Sequence, residues 1–246
     1  MSDYRQIAAF YDSLNADVDY EAIADFYEAD FRKYGLKPEI VLDLACGTGT
    51  LTGILQRRGY DMIGVDGSEE MLGVAMEKLA AEEKMPLLLC QNMTELDLYG
   101  TIDAAVCCLD GLNSLEERDL CAALEKVSLF TVPGGLFLFD VNSPYKFEHV
   151  FGDKIYLYDT PEVYCVWQNH WDKAEQLCDF ELTYFVRNGG VYRRSDEMIT
   201  EYCHSQKRIT EALRRAGFEL LEVCVGLDFA PPEETSERLF YIARKV

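Results

Sequence analysis

The chain has 246 residues, 49% of them hydrophobic and 12% aromatic, which is enough for one well-filled core and excludes a disordered segment. Its 23 Lys plus Arg stand against 44 Asp plus Glu, a formal charge of −21. Such a surface repels phosphate backbones and anionic lipid, so a small-molecule partner, or a cationic protein, is expected rather than nucleic acid or a membrane.

No run approaches the roughly 20 apolar residues that cross a bilayer. The opening MSDYRQIAAFYDSLNADVDY lacks the basic and apolar regions of a secretory signal. None of the nine cysteines is spaced CxxC, and Cys90, Cys107, Cys108 and Cys224 sit inside apolar runs. They read as reduced core residues of a cytoplasmic protein. His149, His170 and His204 show no ligand spacing, and no metal is expected.

Residues 2–34 are helical in pattern and rich in aromatics. From Glu39 short apolar runs alternate with amphipathic helices. EIVLDLAC predicts a buried strand, 49–58 a helix ended by Gly59, and DMIGVD a second strand. Ser68 caps a helix through 82 with acids in its first turn. LLLC and IDAAVCCL are the third and fourth strands, 116–130 a helix, and GGLFLFDVN the fifth strand. Apolar strands separated by helices predict a doubly wound α/β core around a parallel sheet. Residues 154–202 alternate polar and apolar residues, with a hairpin signal at Arg187-Asn188-Gly189-Gly190, and predict an inserted antiparallel sheet of three or four strands. A helix over 206–216 and the strands FELLEVCVG and LFYIARKV complete the chain. The organisation expected is a single domain: a helical cap over 1–37, a core over 38–150 and 204–246, and a β lid over 151–203.

Asp43-Leu-Ala45-Cys-Gly47-Thr-Gly49 closes the first strand. Its glycines let a ligand approach the backbone, and the next helix presents free N–H groups. A dinucleotide fingerprint needs a third glycine where Thr52 stands, which disfavours a nicotinamide cofactor. Asp66 ends the second strand 19 residues after Gly47, the offset at which an acid meets ribose hydroxyls. Gly67, Ser68 and Met71 follow on that turn, and Asn92 and Met93 end the third strand at the same sheet edge, suited to an adenine's edge and face.

VLDLACGTGTLT, IGVDGSEEML, the QNM turn and IDAAVCCLDGLNSL, in this order and spacing, resemble class I S-adenosylmethionine-dependent methyltransferases, nearest their small-molecule branch of sugar N-methyltransferases and glycine N-methyltransferase-like proteins. The resemblance covers Tyr11 to about Asn142 and the last three elements, and departs at Ala45, where the family often has glycine. It implies a Rossmann-like seven-stranded sheet whose last strand is antiparallel, with helices on both faces. It implies S-adenosylmethionine as cofactor and S-adenosylhomocysteine as product. Asp43 and the backbone at Ala45, Gly47 and Gly49 would then hold the methionine part, Asp66 the ribose, Asn92 and Met93 the adenine. Leu109 and Asp110 would lie near the reactive methyl, with Tyr11 and Tyr20 on a segment folding over the cofactor.

The sulfonium carries its own driving force, so alignment and water exclusion suffice and no residue type marks the acceptor site. Asp110, His170 and Tyr184 are the catalytic candidates, with Asn113, Asp140, Asn142, Trp167, Tyr202 and His204 also near the expected strand ends or in the insert. An acidic, aromatic mouth suits an amine or amino-sugar acceptor. Non-catalytic binding of the cofactor or its product, and a nicotinamide-dependent oxidoreductase, stay open as alternatives, as does the choice between monomer and homodimer.

Overall fold

The computed structural model describes residues 7–227 and 229–246; the start of the expected N-terminal helix lies outside them. The aromatic N-terminal pattern is not one helix. A short α1 (Tyr11–Leu14) and a longer α2 (Tyr20–Lys33) are separated where the Asn15 side chain donates to the Tyr11 carbonyl at 2.9 Å and the Asp19 carboxylate caps α2. Polar side chains that bond the backbone locally stop a helix at such points.

The apolar runs form β1 (Ile40–Leu44), β2 (Asp61–Asp66), β3 (Leu87–Cys90), β4 (Ile102–Cys107) and β5 (Thr131–Asn142). Between them lie α3 (Thr50–Arg57), α4 (Glu69–Leu79) and α5 (Glu117–Phe130). The Ser68 hydroxyl accepts from the Met71 amide and starts α4 where the sequence predicts. After the insert come α6 (Gln206–Arg215), β10 (Phe218–Cys224) and β11 (Arg238–Lys245).

The seven strands order as β10-β11-β5-β4-β1-β2-β3, with β11 antiparallel to both its neighbours. Helices α2 and α3 pack through Phe26, Tyr27, Leu51 and Leu55 on one face, and α5 and α6 through Leu124, Val127, Ile209 and Leu213 on the other. Strand order reverses between β1 and β4, so a crevice opens at their carboxyl ends, the place where doubly wound sheets take ligands.

The insert forms a second sheet, antiparallel in the order β6 (Ile155–Asp159), β7 (Val163–Asp172), β8 (Leu177–Asn188) and β9 (Val191–Tyr202). The Gly189-Gly190 pair joins β8 to β9 as the hairpin signal requires. A π-helical turn, Lys146–Phe151, which the sequence does not announce, leads into it. The sheet's inner face packs Cys165, Phe180, Leu182 and Tyr184 against Phe147, Phe151, Met71 and the N-terminal Ile7 and Ala8. Cap, second sheet and α4 thereby share one apolar cluster over the crevice.

No helix among the described residues is long and apolar enough to cross a membrane, and no group of His, Cys, Asp or Glu among them is arranged to hold a metal ion.

Candidate cofactor site

The crevice holds an open cavity. Ala45 and Gly47 form its wall at the glycine turn, Asp66, Gly67, Ser68 and Met71 at the end of β2, and Asn92 and Met93 at the end of β3. Leu109 closes it after β4 and Tyr11 reaches over it from α1. Gly47 and Gly49 take left-handed φ of 54° and 72°, and Ala45 is forced into the same region at 59°. These successive reversals fold the chain tightly under the cavity.

Asp43 lies fully buried behind this turn. One carboxylate oxygen accepts from the Thr52 hydroxyl at 2.6 Å; the other, Oδ1, has no hydrogen-bond partner. Burial, with Asp66 adding, pushes its pKa up to about 7. A buried carboxylate oxygen without a donor is costly unless a ligand supplies one, so the site fits an ammonium. Asp66 accepts from the Gly47 amide at 2.9 Å and from the Ser68 amide at 2.8 Å, which fixes its carboxylate at the cavity wall. Burial raises its pKa, against the pull of those amides. Each carboxylate oxygen keeps a further lone pair for a diol.

Above the cavity Asp12 of α1 binds the Thr48 hydroxyl at 2.6 Å and pairs with Lys78 of α4 at 2.5 Å. Lys78 also donates to Thr48 and Thr50, so four side chains tie the cap to the glycine turn. Tyr20 does not line the cavity but stands beside it; burial, then Cys108, Asp12, Asp43 and Asp110, raise its phenol.

Leu109 and Asp110 both adopt left-handed φ, 53° and 55°. Their amides donate to the two oxygens of the Asp140 carboxylate, at 2.9 and 3.0 Å, which holds a strained pair of residues in place. Arg238 bonds Asp140 and also pairs with Asp110 at 2.5 Å. Burial works against the Asp110 charge, but Arg238 and Lys146 outweigh it and hold its pKa below the usual carboxylate range. Glu201, on β9, lies against the same group; burial and the Asp110 carboxylate raise its pKa well above the ordinary value.

The remaining expected residues are dispersed. Tyr184 is fully buried in the second sheet, and His170 is on that sheet's outward face beside Glu181 at 3.7 Å. Neither lines the cavity. Strand alternation sends them to opposite faces. Trp167 packs on Phe180 and Tyr158. His204 bonds the Leu115 carbonyl at 2.9 Å. Asn113 donates to the Tyr202 carbonyl at 2.8 Å and accepts from the Asn142 amide at 3.0 Å, a seam between the two sheets.

Five further residues line the cavity: Cys108, Gly111, Ser114, Leu115 and Asp119. Only the fold explains the glycine at 111, since a Cβ there would stand 2.9 Å from both Ala45 Cβ and Cys107 Sγ. Asp119 reads in sequence only as an acid in the first turn of a helix.

A family profile described as "Methyltransferase domain" matches residues 41–135. A protein of Geobacillus sp. (strain WCH70) that carries a provisional methyltransferase name is 34% identical over 98% of this chain and 99% of its own. The crystal structure of an S-adenosylmethionine-dependent methyltransferase from Clostridium acetobutylicum ATCC 824 superposes with a TM-score of 0.89, at 33% identity, covering 98% of each chain. The sugar N-methyltransferase KedS8 from Streptoalloteichus sp. ATCC 53650 shares the fold, with a TM-score of 0.76 at 21% identity over 96% of this chain and 93% of that one. The chain belongs to the class I S-adenosylmethionine-dependent methyltransferases, and S-adenosylmethionine is its cofactor.

Proposed function

We propose that this methyltransferase acts on a small molecule and that the acceptor atom is an amine nitrogen, as in an amino sugar. The observation that carries the reading is the Asp110 carboxylate, 18% exposed and next in the chain to Leu109, which lines the cavity where Asp110 itself does not. Asp140 and Glu201 stand behind it, so three acids face the two cations Arg238 and Lys146. A charged carboxylate next to the cavity favours an acceptor that arrives as an ammonium. The neighbour KedS8, a sugar N-methyltransferase, has the same fold and lends the acceptor class plausibility.

The cofactor supplies an electrophilic methyl group on a sulfonium. The chain's own tasks are to hold, orient and exclude water. In this reading Asp43 Oδ1 accepts from the methionine ammonium, the turn from Ala45 to Gly49 lies along the carboxylate end, and Asp66 binds the ribose diol. Met71, Met93 and Leu109 enclose the apolar parts, and Tyr11 and Tyr20 close the cap. Asp110, held charged by Arg238 and Lys146, draws in the amine, which reacts once its proton has left to water.

A panel of primary amines, amino sugars and matching alcohols, assayed for S-adenosylhomocysteine release, tests this. Turnover on amines and none on alcohols is the expected outcome; the reverse refutes the acceptor class. Firm cofactor binding with no turnover on any acceptor would favour the non-catalytic alternative. Asp66→Ala should weaken S-adenosylhomocysteine binding about 10- to 100-fold in titration calorimetry, the worth of a hydrogen bond to a charged group. Unchanged affinity in a folded variant removes Asp66 from the ribose.

A further inference from the structure

We propose that Asp119 recognises the cofactor's adenine by accepting a hydrogen bond from its exocyclic amine. The place of the adenine follows from the sheet and rests on the assignment of Asp43 and Asp66 to the amino-acid and ribose ends. β1 carries Asp43, β2 carries Asp66, and β3 is the next strand outward. A cofactor extended past Asp66 therefore places its base at the end of β3. There the cavity is bounded by Asn92 and Met93 on one side and by Ser114, Leu115 and Asp119 on the other. Helix α5 packs on the Met93–Glu95 turn, which brings Asp119 of its first turn to this end. Met93 and Leu115 offer apolar contact to a flat ring.

An adenine edge presents one donor, the amine, among several ring acceptors, so the pocket must offer it an acceptor. Asn92 is the residue at the strand end that the sequence suggests. Its carbonyl oxygen already accepts from the Thr94 amide and the Thr94 hydroxyl, both at 3.0 Å, which occupies its two lone pairs. The Ser114 hydroxyl has its proton on the Gly111 carbonyl at 2.7 Å and can act only as a neutral acceptor. Among the described residues Asp119 is the one carboxylate lining this end of the cavity. Its neighbour Glu117 is taken by Arg208 at 2.5 Å, whereas the Asp119 carboxylate forms no ion pair or hydrogen bond among the described residues. An ionised acceptor makes a stronger bond to the amine than a neutral one.

The test is equilibrium binding of S-adenosylhomocysteine and S-inosylhomocysteine to the full-length protein. In the inosyl compound the 6-amino donor is replaced by a carbonyl acceptor that would face the carboxylate. The wild type should prefer the adenosyl compound by about 10- to 100-fold. Asp119→Ala should bring the two affinities within about threefold, and Asp119→Asn, which can donate to the carbonyl, should reduce or invert the preference. A thermal melt confirms folding, and because the readout is a ratio, a general loosening of α5 would not alter it. Discrimination that survives in Asp119→Ala, or that is lost in Ser114→Ala instead, overturns the proposal. So does a wild type that does not discriminate. Loss of binding to both compounds in Asp66→Ala, with the Asp119 ratio intact, would separate failure here from failure of the site as a whole.

Discussion

At Ala45 the backbone takes φ 59°, a conformation that costs an L-residue about 1 kcal/mol or more, because the turn beneath the cavity must reverse here. Ala45→Gly relieves that strain while adding freedom to the unfolded chain, a loss of about 0.5–1 kcal/mol. The two nearly cancel, so the melting temperature should hold or rise slightly. Ala45→Val, with a branched side chain in a left-handed position, should lower it clearly. Asp43 allows a prediction on pH. In the free protein its pKa is about 7, so below pH 7 a proton must leave before a ligand ammonium can use the carboxylate. Affinity for S-adenosylmethionine should therefore rise from pH 5 to pH 7, by up to about tenfold per unit, and Asp43→Asn should both weaken binding and flatten the slope. Titration calorimetry across that range checks both. Much of this was legible in sequence. Asp43, Gly47 and Asp66 announce themselves because a turn that needs glycine, and an acid at a fixed offset from it, are local properties of the chain.

Among the elements, α2 carries an unexpected feature. Asp30 is fully buried and neither carboxylate oxygen has a hydrogen-bond partner. Burial, with Lys33 opposing, pushes its pKa up to about 7. The folded value lies above the unfolded one, so the group favours folding below about pH 4 and that contribution is lost as pH rises towards 7. Stability should fall over that window by at most about 1.4 kcal/mol per unit from this group. Asp30→Asn should remove the dependence, matching the wild type near pH 4 and exceeding it at pH 7.5 in urea unfolding. A steeper wild-type gain at alkaline pH would contradict this. Nothing in the sequence of α2 distinguishes Asp30 from its exposed acids, since periodicity puts it at the margin of the apolar face. The second sheet was easier to read, because alternation and a Gly189-Gly190 turn are local, but alternation could not say which face meets the core. His170 and Tyr184 were candidates on equal terms until the sheet docked one outward and the other into the packed interior.

At the scale of the whole molecule, the two sheets are joined by a polar seam. Asn113 bridges the Tyr202 carbonyl and the Asn142 amide, and Asn142 in turn donates to Glu201 at 2.9 Å. Asn113→Ala strands two buried backbone groups and should destabilise the protein by about 2 to 4 kcal/mol in urea unfolding. A loss under about 0.5 kcal/mol would show that water replaces the amide. The sequence by itself determined the order of strands and helices, the glycine turn and the acids that follow it. Each of these depends on hydrophobic period, on backbone dihedrals or on spacing within a few tens of residues. Tertiary structure alone decided that Arg238 reaches Asp140 across 98 residues and that Asn113 serves a seam instead of the cavity. It also brought Asp119 to the rim beside Met93. Those partners meet through the packing of α5, β9 and β11 on distant strands, and no local pattern encodes which side chains such packing brings within a hydrogen bond of one another.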